Sequence, residues 1–294
     1  MGLNLIARNI IKKIEQYSTL VMFEHTIFSL SFGLVSMLLA SQGHIEPRII
    51  VLILIVLLSA RTGANAINRA IDAEIDAKNP RTQSRQLPSK ILKKKEVIIF
   101  SIACFLVMIA ATFMINTLSV LLLPIAIFMM LTYSYTKRFT WACHLYLGIT
   151  CAIAPMGAWI AVTGSFHIVP LFLSAANALW VAGFDIIYGS QDFHFDTENN
   201  IHSMPQRFGV KKALYISAFF HFCTVICLFI VGHLSQNLGL IYYIGVSLIA
   251  VLLVYEHKII SPTNLKHAKI AAYGVNQLIS IIFMAFAIAN IFLQ

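Results

Sequence analysis

The sequence predicts an all-α fold, a polytopic membrane bundle of nine transmembrane helices, on three observations. Of 294 residues, 59% are apolar and only 11% are charged, against about 25% charged in an ordinary soluble domain. The mean hydropathy is +0.82. So few charges could not cover the surface of a water-soluble fold of this size. The apolar residues also gather in runs of about 20, the length that crosses a hydrocarbon core as a helix. Finally, the basic residues fall almost wholly on one side of those runs. The formal charge of +9 therefore reads as membrane orientation, with the lipid bilayer as partner and no nucleic acid.

In chain order the runs are roughly 20–42, 49–70, 97–115, 118–135, 141–163, 167–188, 213–233, 238–255 and 271–293. The first opens on a polar pair unusual at membrane depth, Glu24-His25, either a holder of the acceptor or a satisfied buried pair. The second ends in a polar, acidic stretch. The third and fourth are parted only by Asn116-Thr117, the fifth and sixth by Gly164-Ser165, and the seventh and eighth by Ser235-Gln236-Asn237, so each pair reads as a tight helical hairpin. The fifth is rich in small residues, with Pro155 in mid-span as a source of a kink. Nineteen of the 21 Lys and Arg residues lie before the first run or from the last residues of the even-numbered ones onward. Arg48 alone faces the other side, and Arg61 lies within the second run. The positive-inside rule then puts the N-terminus and the even loops in the cytoplasm and, with nine spans, the C-terminus outside. The five cysteines lie in apolar stretches without ligand spacing and read as packing residues. His144, His221 and His233 share no spacing and read as ordinary.

Seven of the 12 acidic residues cluster at the cytoplasmic ends of two runs. At about 100° per residue, Arg61, Asn65, Asn68, Asp72 and Asp76 fall within roughly 80° of one another on a helix. Asp185, Tyr188, Asp192 and Asp196 do the same, also within about 80°. Facing carboxylates repel unless they are protonated, paired or bridged by a cation, and ionisable residues at membrane depth are costly. Oxygen ligands without Cys or His favour a hard ion such as Mg²⁺, which binds through few carboxylates plus substrate phosphates. The same loops supply arginines and lysines suited to a diphosphate. Acids for a metal, bases for phosphate and a greasy helical body point to a lipid diphosphate as substrate. The rival from another class is a secondary transporter with intramembrane Asp residues. Transporters hold their sites near the midplane, whereas six of these seven acids lie at helix ends.

Asn68-x3-Asp72-x3-Asp76 followed by NPRTQSRQLP, and Asp185-x2-Tyr188-x3-Asp192-x3-Asp196 followed by HSMPQRFG, resemble the two signature regions of the UbiA superfamily of intramembrane prenyltransferases. The segment YSYTKRFTWACHLYLG (Tyr133 to Gly148) resembles the same superfamily. The likeness runs over most of the chain and implies a single integral-membrane domain over 1–294, with a central cavity capped by the cytoplasmic loops after spans 2 and 6. It implies that Asn68, Asp72, Asp76, Asp192 and Asp196 hold Mg²⁺, as two ions bridging a diphosphate. It places Arg81, Arg85, Lys137 and Arg138 near the diphosphate or the aromatic acceptor, with Asp72, Asp192, Arg138 and Tyr188 expected at the chemistry. Arg69, Tyr133, Asp185 and His25 are further candidates for holding substrate, as is Arg61, which would either neutralise the carboxylate stripe or meet the acceptor's carboxylate. In two places the chain departs from the commoner pattern. Arg69 stands where Asp usually follows the Asn, and Arg85-Gln-Leu-Pro-Ser-Lys90 replaces Arg-Pro-Leu-Pro-Ser-Gly. Neither touches the spaced carboxylates.

The activity implied is transfer of a polyprenyl group to an aromatic acid in ubiquinone or menaquinone biosynthesis, at a site opening to the cytoplasm from the inner membrane. Two acceptors fit the resemblance, a 4-hydroxybenzoate-type acid and 1,4-dihydroxy-6-naphthoate. The allylic C–O bond would ionise and an electron-rich ring carbon would attack, with no covalent enzyme intermediate.

Overall fold

The computed structural model describes residues 2–22, 26–44 and 46–293. In chain order it comprises α1 (Gly2–Leu20), α2 (Thr26–Ala40), α3 (Pro47–Lys78), α4 (Lys94–Phe113), α5 (Thr117–Thr136), α6 (Cys143–Thr163) and α7 (Ile168–Gly189). A tightened turn over Ser190–Asp192 leads into the short helices α8 (Phe193–Glu198) and α9 (Met204–Phe208). Then come α10 (Val210–Leu234), α11 (Leu240–Lys258), a widened π-helical stretch over Ile270–Val275, and α12 (Asn276–Leu293). Among the described residues the only β-type pairing is an isolated bridge between Ser261 and Asn264.

Eight helices of the described residues are long and apolar enough to cross a membrane. The ninth expected span, 20–42, falls short of that standard. Its helix α2 has 15 residues, about 22 Å at 1.5 Å per residue, less than the ≈ 30 Å of a hydrocarbon core. It is nevertheless an inner helix. Phe32 on α2 stacks on Phe283 of α12 at 4.5 Å and on Trp180 of α7 at 5.3 Å, and Val35 and Leu39 are buried beside it. The protein is thus an integral-membrane helical bundle, with α2 enclosed by longer neighbours.

Helix ends follow local chemistry. Pro47 opens α3, where its missing N–H costs nothing. The helix stops at Asn79, in extended backbone at φ −86 and ψ 119, because Pro80 disfavours the helical region for the residue before it. With 32 residues, α3 is about 48 Å long and overshoots the hydrocarbon core by several turns. Those extra turns bear Asn68, Asp72 and Asp76. Asn116 caps α5 through the Ser119 N–H, and Gly164 ends α6 in the left-handed region at φ 67.

The centre of the bundle is α7, buried along most of its length from Val169 to Ile187. On α4, α5 and α10, Ile99, Leu106, Leu121, Phe128, Phe219 and Phe222 are exposed; in water such residues would be a liability, and here they face lipid. The cysteines are all unpaired and half-buried. Helices α6 and α7 meet closely at Gly148, where an added Cβ would collide with the Ala178 carbonyl. Gly148→Val is therefore expected to lower the detergent-solubilised protein's thermal midpoint, with an overpacking cost of about 1–3 kcal/mol. A fluorescence melt showing no shift would contradict this packing.

Candidate active site

Asp72 is buried near the C-terminal end of α3. Its Oδ2 accepts from Asn68 Nδ2 at 2.8 Å and is paired with Lys137 Nζ at 2.8 Å. Asn68 in turn donates to Ser134 Oγ at 3.1 Å, so α3 and the end of α5 are joined through amide, carboxylate and ammonium. One turn on, Asp76 takes Arg85 Nη1 at 2.8 Å on both oxygens. The loop after α3 folds back to bring Arg85 there. Thr82 Oγ1 donates to the Asp76 carbonyl at 3.0 Å, and the Asn79 side chain accepts from the Arg81 N–H at 2.9 Å.

That turn aims Arg81 across the bundle at the second acidic region. Its Nε donates to Asp192 Oδ1 at 2.8 Å, its Nη2 pairs with Asp192 Oδ2, and its Nη1 donates to the Tyr188 hydroxyl. Asn79 Nδ2 adds a bond to Asp192 Oδ1 at 2.8 Å. Burial works against the Arg81 charge, but the bonded Asp192 carboxylate outweighs it and raises the guanidinium's pKa above its ordinary value. The guanidinium also lies over the Tyr188 ring, 4.6 Å from its centre, and Tyr273 meets that ring edge-on at 4.7 Å.

The second acidic region is not one regular helix. Asp185 and Tyr188 ride on α7, Asp192 closes the tightened turn, and Asp196 is on α8. A turn with three residues per revolution shifts the residues beyond it by tens of degrees relative to a regular helix. Asp196 is buried and accepts from Ser203 Oγ at 2.8 Å. The loop beyond is pinned to the first region by a bond from the His202 N–H to the Lys137 carbonyl at 2.8 Å. Asp185 bonds not to a basic loop residue but to His144 of α6, Oδ2 to Nδ1 at 2.7 Å.

Beneath the carboxylates a cavity of ≈ 430 Å³ runs between α3, α4, α5 and α6. Its walls are mostly aliphatic, among them Met108, Leu123 and Ile160, with Arg61 and Tyr133 as polar members. The volume falls in the range of small-molecule sites. Cys151 lines the same cavity as Arg61 and Tyr133, and the Tyr133 hydroxyl donates to the Ala64 carbonyl at 3.3 Å.

Asn68, Asp72, Asp76, Asp192, Arg81, Arg85, Lys137 and Tyr188 are thus gathered at one end of the bundle, joined by the bonds above. Three expected residues stand differently. Arg138 is exposed, donates to the Ile71 carbonyl at 3.0 Å and lies over Tyr135, facing a small outer pocket of ≈ 190 Å³ with Lys78, Asn199 and Asn200. Arg69 donates to the Leu20 carbonyl at 3.3 Å and to Met22 Sδ at 3.0 Å, so it ties the end of α1 to α3. His25, with Glu24, lies outside the described residues. Asn79, Ser134, Ser203 and His144 are not among the expected site residues. A signal for His144 is present in its place within the segment Tyr133–Gly148.

Among the described residues no three His, Cys, Asp or Glu side chains converge as a ready-made metal cage. Arg85, Arg81 and Lys137 instead occupy the carboxylates. The donor set still fits a hard divalent ion, which takes few protein oxygens and completes its shell from water and phosphate. Asp72 Oδ1 is buried without a hydrogen-bond partner, an acceptor left over for such an ion.

Residues 29–289 match the UbiA prenyltransferase family. A 4-hydroxybenzoate octaprenyltransferase from Shewanella woodyi is 28% identical over 251 residues, 84% of this chain and 87% of that protein. The apo structure of a UbiA homolog from Aeropyrum pernix K1 superposes with a TM-score of 0.82 at 30% identity, over 90% of this chain and 98% of that one. A UbiA homolog from Archaeoglobus fulgidus bound to GPP and Mg²⁺ shares the fold, with a TM-score of 0.73 at 20% identity over 94% of this chain and 99% of that one.

Proposed function

The chain belongs to the UbiA prenyltransferase family, and from that premise we propose that it transfers a polyprenyl group from an isoprenoid diphosphate to the ring of a 4-hydroxybenzoate-type acid in quinone biosynthesis. One observation supports this reading above the others. Carboxylates from two separate helical regions, each facing bases from the intervening loops, stand over an apolar cavity that holds a single buried arginine, Arg61. The name of the Shewanella woodyi relative supports the acceptor class, and the GPP and Mg²⁺ of the Archaeoglobus fulgidus structure support the donor and the metal.

Asn68, Asp72, Asp76, Asp192 and Asp196 would hold two Mg²⁺ ions. When bound, these neutralise the charge that grows on a diphosphate leaving group. Lys137, Arg81 and Arg85 are the chain's own donors to diphosphate oxygens, and as fixed cations they stabilise the same charge. Tyr188 brings an aromatic ring to the edge of the carboxylate cluster, and a free aromatic face can steady an allylic cation. The aliphatic cavity would take the isoprenoid chain and keep water from quenching that cation. As a single domain over 1–294, the protein would sit in the cytoplasmic membrane. Its N-terminus and the mouth of the site would face the cytoplasm, where soluble aromatic acid arrives, and its C-terminus would lie outside. Arg138, in its outer pocket, would meet arriving anions rather than the reacting atoms.

Membranes containing the protein, given a polyprenyl diphosphate and Mg²⁺ with either 4-hydroxybenzoate or 1,4-dihydroxy-6-naphthoate, are expected to form lipid-soluble product from the benzoate. Product from the naphthoate alone would move the acceptor. Product from neither would favour an ion-coupled transporter.

A further inference from the structure

Transfer to an aromatic ring makes a demand that the bases of the carboxylate cluster do not meet. The allylic C–O bond breaks and its electron pair leaves with the diphosphate. A ring carbon beside the hydroxyl then bonds to the isoprenoid carbon and is left carrying its proton. Aromaticity returns only when the C–H electron pair falls back into the ring and the proton passes to a base. Lys137, Arg81 and Arg85 are cations held by carboxylates, so they have no lone pair to offer.

His144 does. It stands in the first turn of α6 and is 6% exposed. Its Nδ1 lies 2.7 Å from Asp185 Oδ2. A carboxylate accepts, so Nδ1 is the donor, and in the neutral ring that leaves Nε2 as a lone pair. Nε2 is buried without a hydrogen-bond partner. The ring fits there because position 189 is glycine, where an added Cβ would come within 2.8 Å of His144 Cε1 and 3.4 Å of Nε2. Leu147, one turn after His144 on α6, lines the apolar cavity, and Tyr188, one turn after Asp185 on α7, accepts from Arg81. The pair therefore stands one helical turn from both the cavity wall and the Arg81–Asp192 cluster, between which the acceptor ring must sit.

We propose that His144, oriented by Asp185, is the base that takes the ring proton from the aromatic acceptor. The inference rests on the prenyl-transfer reading above. The proton lands on Nε2, and the resulting imidazolium is stabilised by the Asp185 carboxylate until the proton is released.

The test is the kinetic isotope effect with acceptor deuterated at the ring carbons beside the hydroxyl, measured on the full-length protein in membranes. In the wild type, proton removal is fast and deuteration leaves turnover nearly unchanged. His144→Gln keeps a polar group beside Asp185 but offers no comparable base. It is expected to lower kcat on the order of 10²-fold or more and to expose a clear primary isotope effect, as proton removal becomes limiting. Asp185→Asn and Gly189→Ala, which misorient or displace the imidazole, should show the same isotope signature, so the idea does not hang on one variant's folding. Wild-type turnover in His144→Gln would overturn it. So would a loss of kcat with no isotope effect and a lowered melting midpoint, the mark of a mere α6–α7 tether. A wild-type protein that prenylates no aromatic acid would overturn the function as well, which separates the two failures.

Discussion

Asp72→Asn and Asp192→Asn are each expected to reduce prenyl transfer on the order of 10³-fold while leaving the fold in place. Asn is nearly isosteric with Asp, so the change removes charge rather than volume. Asp72 shares its Oδ2 with Asn68 and Lys137 and keeps Oδ1 unbonded, and Asp192 joins the second acidic region to the loop after α3. Each is a joint between two helical regions and a ligand candidate for a divalent ion. Losing a group that stabilises developing charge at a dry site costs about 10²–10³ in rate, and the loss of a metal ligand adds to it. Stability should suffer less. Lys137 is 26% exposed and Arg81 is 28% exposed on their side chains, so either can turn toward water when its carboxylate is gone. Chelation of Mg²⁺ should abolish product in the wild type. Normal rates in either variant, or in the presence of chelator, would sink the assignment of these carboxylates.

Much of this site can be read from spacing alone, and the rest cannot, for identifiable reasons. Asn68, Asp72 and Asp76 recur at the period of the helix that bears them, so their common face is a local property of α3. Their partners are not local. Arg81 meets Asp192 across 111 residues, and Lys137 reaches Asp72 from the far end of α5, contacts that depend on how a loop folds back and how two helices pack. Periodicity fails at Ser190–Asp192, where the helix tightens and Asp196 passes onto α8. Hydropathy finds every long span, and among the described residues only the run 20–42 yields a helix shorter than a full crossing. Arg138 draws attention as the second of two adjacent bases. In an α-helical turn neighbours point about 100° apart, and only Lys137 reaches the carboxylates. His144 reads as ordinary for lack of a partner nearby in sequence; its partner is Asp185, 41 residues away.

Arg61 carries the second large expectation. It lies on α3 two turns before Asn68, about 10 Å deeper along the axis, in the wall of a cavity that is otherwise mostly aliphatic. A guanidinium at that depth is costly, and its planar fork suits a carboxylate on two parallel bonds. An aromatic acid whose hydroxyl-bearing end reacts beneath the diphosphate must send its carboxylate away from that negative charge, and Arg61 is the cation in the cavity wall. Arg61→Gln is expected to raise KM for the acid by about 10–100-fold, the equivalent of one charged hydrogen-bonding contact, while KM for the prenyl diphosphate changes little. Arg61→Lys should recover only part of the affinity, because a point charge does not reproduce the two-pronged contact. A rise in KM for the diphosphate instead, with the acid unaffected, would place Arg61 at the leaving group and send the acceptor's carboxylate elsewhere.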